Sequence, residues 1–306
     1  MCRHLRFIPD GGALVEVTCR TIQGRLLLCP SPQLNDIILG VLGRAQREYP
    51  VEIVAYAFAS NHYHLHLRVD HAKQLSEFMC FFNSNLAKEV ARRTGWKEKV
   101  WSRRYQAIVI SDEVEVQVER LRYVLAHGVK EGLVARVVEW PGVHCAVPLM
   151  TGAAVEGTWF DRTLEYNARL RGKELEPGES ASTQVVRLSP LPCWKHLPAE
   201  VYHARIAKLV REIDEAAATA RGESLIAPMG PEGVRAQNPE SRPRKIKKSP
   251  APFCHALRKK VRKGLWEAYG MFVAAFRGAA EKLRGGDPTA EFPPGSFPPG
   301  LPFVMV

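Results

Sequence analysis

The run His62-Tyr63-His64-Leu65-His66-Leu67-Arg68-Val69 alternates strictly between polar and apolar residues. A period of two defines a strand with one face in the core. Tyr63, Leu65, Leu67 and Val69 form that buried face, and His62, His64 and His66 line the other. A slip of one residue would exchange the faces, so this run fixes the register of any sheet it joins. Side chains two apart on one face stand roughly 6.5–7 Å from one another at Cα, close enough for two imidazoles to converge on one divalent ion. Imidazole suits zinc and manganese, whereas reaction at a DNA phosphodiester favours magnesium or manganese.

The first 150 residues set this strand in a longer pattern. Ala13 to Arg20 reads as a strand, turned at Gly24 into a short second one, Arg25 to Leu28. Ile37, Ile38, Val41 and Leu42 recur at helical spacing between Leu34 and Arg47, and Pro50 stops that helix. Val51 to Phe58 is β-rich, and Ser60-Asn61 turns the chain into the histidine strand. A helix spans Gln74 to Arg93 and a strand Tyr105 to Ile110. A capping box of Asp112 and Glu115 then opens a helix running to Gly128. The order ββαββαβα, with a short connection between the central strands, predicts an α+β fold: a ferredoxin-like antiparallel sheet with helices on one face.

Beyond residue 150 the pattern loosens, which divides the chain into 1–150, a basic and partly helical extension over 151–286, and a Pro/Gly-rich flexible tail over 287–306. Residues 151–198 read as irregular. Val201 to Ala220 is an amphipathic helix with Ile206, Leu209, Val210 and Ile213 on one side, and a second helix is expected from Cys254 to Leu283. Lys+Arg 43 against Asp+Glu 32 gives a net charge of +11, the signature of a polyanion-binding chain. Ten of those cations, and no acid, lie between Arg242 and Lys263, including Arg244, Lys245, Lys247, Lys248, Lys259 and Lys260. No run approaches the ~18 apolar residues of a membrane span, so a span is ruled out and no membrane partner is expected. No signal-peptide pattern follows Met1. Seven cysteines without a CxxC pair read as reduced thiols of a cytoplasmic protein, not a disulfide framework or zinc knuckle.

A second constellation lies in Tyr123-Val124-Leu125-Ala126-His127-Gly128-Val129-Lys130-Glu131-Gly132-Leu133-Val134. Tyr123 and His127 are i, i+4 neighbours on a helix and project from one face about 6 Å apart. A phenol with a pKa near 10 is a poor nucleophile at neutral pH, but opposite a metal-polarised phosphate it can attack phosphorus and form an ester. The plain alternative is a tyrosine packed at a helix end beside a histidine favoured by the helix dipole.

Together the two stretches resemble the HUH single-tyrosine transposases, the insertion-sequence-200-type enzymes and their REP-associated relatives. Asn61-His62-Tyr63-His64-Leu65 is similar to that family's Pro-Asn-His-x-His-Leu signature, and Tyr123 to Val134 to its Tyr-Ile-x-x-Asn-Pro-Val-x-Ala-Gly-Leu-Val helix and turn. The 59 residues between His64 and Tyr123 fit the family's spacing, and the resemblance covers about residues 3–150. It implies that His62, His64 and His127 hold a divalent metal, Mg or Mn. Tyr123 would attack single-stranded or hairpin-forming DNA, leaving a 5′-phosphotyrosine and a free 3′-hydroxyl for strand transfer. His127 stands where the family has Asn or Gln, Ser60 and Gly128 where it has proline, and His66 where an aliphatic residue is common, so His66 is an alternative ligand. Tyr105 is a competing nucleophile of lesser fit. Arg103, Arg104, Arg120, Arg122 and Lys130 surround the expected site as phosphate contacts, with Trp96, Trp101 and Tyr105 as base-stacking surfaces. The resemblance implies a cytoplasmic, nucleoid-associated transposase and leaves homodimer and monomer both open. The rival readings are a non-catalytic nucleic-acid binder on the same scaffold and a metal-dependent hydrolase unrelated to DNA.

Overall fold

A computed structural model describes residues 5–224, 226–242 and 251–299. Arg244, Lys245, Lys247 and Lys248 and the last part of the tail, 300–306, lie outside the described residues, as does Cys2. The chain opens with β1 (Ala13–Arg20), α1 (Pro32–Glu48), β2 (Glu52–Ala59), β3 (His62–Val69), α2 (Ala72–Thr94) and β4 (Gln106–Ile110). β1 lies between β3 and β4, β2 pairs outside β3, and all these pairs are antiparallel. This βαββαβ arrangement is the ferredoxin-like α+β sheet that the periodicities predict.

The alternation in β3 works as read. Val15, Val17, Tyr63, Leu65 and Leu67 are buried beneath α1 and α2, where Phe82 of α2 meets the rings of Tyr63 and Phe58 at 5.5 and 6.2 Å. The buried Tyr63 hydroxyl donates to Asn83 Oδ1 at 2.6 Å, so the core keeps no stranded donor there. The opposite face carries the histidines, and α3 (Val114–Leu125) crosses it with the Tyr123 ring 5.5 Å from that of His64. Ala55, Ala57 and Ala59, paired with His66, His64 and His62, leave room for that crossing. α1 and α2 thus occupy the face allotted to helices, and α3 is an addition on the other.

Three local expectations change. Arg25 to Leu28 is a turn rather than a strand, because Leu26 N–H is taken by Ser241 O and Leu28 N–H by Ser60 O. The Asp112 capping box does not form: Glu113 is the N-cap of α3. Its carboxylate instead accepts from Ser111 Oγ, the backbone N–H groups of Leu257 and Arg258, and Arg258 Nε, at 2.7–2.9 Å. Burial alone would raise the Glu113 pKa, but these hydrogen bonds, led by Arg258 and Ser111, hold it down at about 2. A depressed carboxylate contributes stability above its unfolded pKa and loses it as pH falls toward the folded one. Urea unfolding is therefore expected to show Glu113→Gln destabilised at about pH 6, with the difference from wild type shrinking between about pH 4.5 and 2.

The stretch expected to be irregular holds α4 (Ala146–Thr151), the hairpin β5 (Val155–Phe160) and β6 (Ala181–Val186), and α5 (Arg162–Leu170). The hairpin packs on α1 through glycines: a Cβ at Gly40 would overlap the Thr158 carbonyl, and one at Gly157 the Asp36 carbonyl. Gly→Ala inside a helix ordinarily gains about 1 kcal/mol, but forced backbone displacement costs about 3. Gly40→Ala is therefore expected to lower the unfolding free energy by about 2 kcal/mol, measurable by denaturant titration.

α6 (Ala199–Ser224), α7 (Gly230–Arg235), β7 (Cys254–His255) and α8 (Lys259–Arg284) complete the chain. Val155, Val186, Leu191, Ile206, Leu209, Ile213 and Val234 join the same apolar cluster as β1–β4. The helix expected from Cys254 begins at Lys259, because Cys254 and His255 pair in parallel with Val109 and Ile110 as a fifth strand. The tail, expected to be loose, is fastened in its described part: Arg6 N–H donates to Gly295 O and Phe292 packs on Phe276. The six described cysteines are free thiols. No helix among the described residues is long and apolar enough to cross a membrane.

Candidate active site

His62 and His64 come to the site from β3 and His127 from the turn after α3, and ligand atoms of the three lie within 4.8 Å of one another. The Nε2 atoms of His62 and His127 are 3.1 Å apart. Each ring has an acceptor at Nδ1. His62 Nδ1 faces Asn61 Oδ1 at 2.7 Å, His64 Nδ1 faces Glu16 Oε1 at 3.0 Å, and His127 Nδ1 faces the Tyr123 carbonyl at 3.3 Å. A carboxylate and a carbonyl only accept, and Asn61 is oriented by donating its Nδ2 to Gly24 O. All three rings therefore carry their proton on Nδ1 and turn an Nε2 lone pair to a common point. Burial pushes all three pKa values below the ordinary histidine value, for His62 and His127 with help from neighbouring His64 and for His64 against the pull of Glu16, which keeps the rings neutral. Three neutral imidazoles gathered in this way could hold a divalent metal ion.

His66 shares the strand face but not the cluster. It is fully buried, and neither ring nitrogen has a hydrogen-bond partner among the described residues. The alternative ligand of the sequence reading is not one of the three histidines that the structure gathers.

Tyr123 is half-buried, with its ring 5.5 Å from both His64 and His127. Arg120 and Lys130 lie over the ring, their charged ends 4.1 and 3.3 Å from its centroid. Burial, then the Glu16 charge, raise the phenol's pKa above 10, so the hydroxyl keeps its proton at rest. Tyr105, the competing nucleophile, is buried against Arg6.

Glu16 was silent in the sequence and is central here. It is 2% exposed and holds His64 Nδ1, the Arg120 fork at 2.8–3.0 Å and His255 Nε2 at 3.0 Å. Burial would raise its pKa, but the contacts of His255 and His64 hold it far below the usual carboxylate range. The available signal was a lone carboxylate in an otherwise apolar strand, opposite His66 in register.

The expected phosphate contacts divide. Arg120 is paired with Glu16 and Arg122 with Glu212 of α6. Arg103 and Arg104 are exposed before β4, Lys130 borders Tyr123, and Lys259 and Lys260 are exposed on the first turn of α8. Trp101 is held by Asn83 O through Nε1, and Arg25 covers Trp96. The departures from the family pattern have local causes. Gly128 has φ +88 and donates its N–H to Glu131, neither of which proline allows, and a Cβ there would strike Trp140. Ser60 donates its hydroxyl to Gln237.

Residues 31–125 match the model of the family described as IS200-like transposases. This segment, which holds His62, His64 and Tyr123, is similar to the family that the two motifs resemble. Among solved structures, a REP-associated tyrosine transposase bound to a REP hairpin is 19% identical, with a TM-score of 0.36, over 46% of this chain and 81% of that one. A candidate transposase from Deinococcus radiodurans R1 is 15% identical, with a TM-score of 0.28, over 39% of this chain and 94% of that one. No match was found among curated proteins.

Proposed function

We propose that the chain is a transposase that nicks and rejoins single-stranded or hairpin-forming DNA through Tyr123. The observation carrying this reading is the gathering of His62, His64 and His127, with ligand atoms within 4.8 Å of one another, beside a tyrosine flanked by two cations. His62, His64 and His127 would hold Mn or Mg, which when bound polarises a phosphate oxygen and lowers the barrier to attack at phosphorus.

The chain's own residues do the rest. Tyr123 Oη gives up its proton to solvent as it forms a bond to phosphorus, the bond from phosphorus to the 3′ oxygen breaks, and the leaving oxygen takes up a proton from solvent. The products are a 5′-phosphotyrosine and a 3′-hydroxyl. Attack by another 3′-hydroxyl reverses the step and joins strands, so no nucleotide cofactor is consumed. Lys130 and Arg120 fix the ring and lower the cost of negative charge on the phenol oxygen. Arg103, Arg104, Lys130, Lys259 and Lys260 supply phosphate contacts, and the REP hairpin bound by the similar transposase is the type of substrate to offer first.

The test uses labelled single strands containing a hairpin, with Mn²⁺ or Mg²⁺, run on a denaturing gel. A metal-dependent protein-linked band supports the proposal. Salt-sensitive binding without such a band, across both metals and a panel of hairpins, supports the non-catalytic binder. Lys259→Ala with Lys260→Ala is expected to flatten the slope of log K against log salt by about 1.4 for single strands, read by anisotropy titration.

A further inference from the structure

Glu16 is held from three sides. Its Oε1 receives His64 Nδ1 and one arm of Arg120, its Oε2 receives Arg120 Nε, and His255 Nε2 lies 3.0 Å from Oε2 as an ion-pair contact without hydrogen-bond geometry. The fork of Arg120 alone would let the carboxylate pivot about one partner. The His255 ring packed 3.0 Å from Oε2 restricts that pivot and leaves Oε1 aimed at His64.

That third contact comes from the far end of the chain. His255 is placed by the pairing of β7 with β4 and by Ser111 N–H donating to His255 O at 2.9 Å. Two residues on, Leu257 and Arg258 are clamped by Glu113 at the start of α3, the helix that carries Tyr123. The segment leading into basic α8 is therefore pinned to the sheet, to α3 and to the carboxylate behind His64.

We infer that Glu16 and His255 are positioning residues for His64, so that the C-terminal segment completes the site built on the transposase-like sheet. This rests on the metal-binding reading above. Glu16 selects the Nδ1–H tautomer of His64 and fixes its ring, and His255 fixes Glu16.

The test is Mn²⁺ calorimetry on the full chain, with unfolding midpoints taken without metal and imidazole ¹⁵N shifts reporting the His64 tautomer. Glu16→Gln is expected to weaken Mn²⁺ about 10–100-fold and to mix the His64 tautomers. His255→Ala is expected to weaken it about tenfold, and His255→Gln, which keeps an N–H donor, to restore most of that. His255→Ala leaves the Glu16–Arg120 pair intact and so carries the test if Glu16→Gln does not fold. Wild-type Mn²⁺ affinity in Glu16→Gln and His255→Ala, with weakened affinity in His64→Ala, would overturn this inference alone. Equal affinity, or none, in wild type and His64→Ala would overturn the metal reading beneath it as well.

Discussion

Replacing Tyr123 with phenylalanine is expected to abolish the covalent protein–DNA product while leaving folding and DNA binding in place. Phenylalanine retains the ring that Arg120 and Lys130 cover and that packs against His64 and His127. What it removes is the oxygen that would bond to phosphorus. Loss of a nucleophile with its surroundings preserved costs at least about 10³-fold in rate. Gel quantification of the adduct, with anisotropy binding alongside, separates chemistry from affinity. Tyr105→Phe is the matched control, because Tyr105 is buried on the strand side of Arg6 and its loss should leave the adduct unchanged.

The second large effect belongs to the histidines. His64→Ala removes the central imidazole of the cluster and leaves Glu16 with Arg120 and His255. Mn²⁺ affinity is expected to fall more than about 100-fold, and metal-dependent cleavage with it. His66→Leu makes the contrast. Its two nitrogens are buried without hydrogen-bond partners among the described residues, so an apolar side chain of similar volume should leave Mn²⁺ affinity unchanged and the fold at least as stable. If His66→Leu lost the metal and His64→Ala kept it, the assignment of the cluster would be wrong.

Much of this was legible because period-two alternation carries both fold and chemistry. Burying Tyr63, Leu65 and Leu67 forces His62, His64 and His66 to the other face, and a helix places Tyr123 and His127 together. Which two of the three strand histidines meet His127 came from the resemblance and not from the alternation, which leaves all three equivalent. The choice depends on where His127 arrives across the sheet, a tertiary matter. Glu16 and His255 were invisible because the register of β1 against β3 and the parallel docking of β7 join residues far apart in sequence. The β5–β6 hairpin was missed because its lodging comes from α1, where Gly40 and Gly157 permit backbone approach, rather than from its own alternation. The ion pairs of the basic residues were not legible either. Arg120 and Arg122 read as phosphate contacts from charge alone, whereas Glu16 and Glu212 neutralise them.

The most direct test of the central claim is to locate the covalent bond. DNA trapped on the wild-type protein with Mn²⁺ would be trimmed by nuclease, the protein digested with trypsin, and the peptides measured by mass spectrometry. A nucleotide phosphate on the peptide Tyr123–Lys130, lost in Tyr123→Phe, is the result expected. The same mass on a peptide containing Tyr105, or cleaved DNA with no modified peptide, would contradict it.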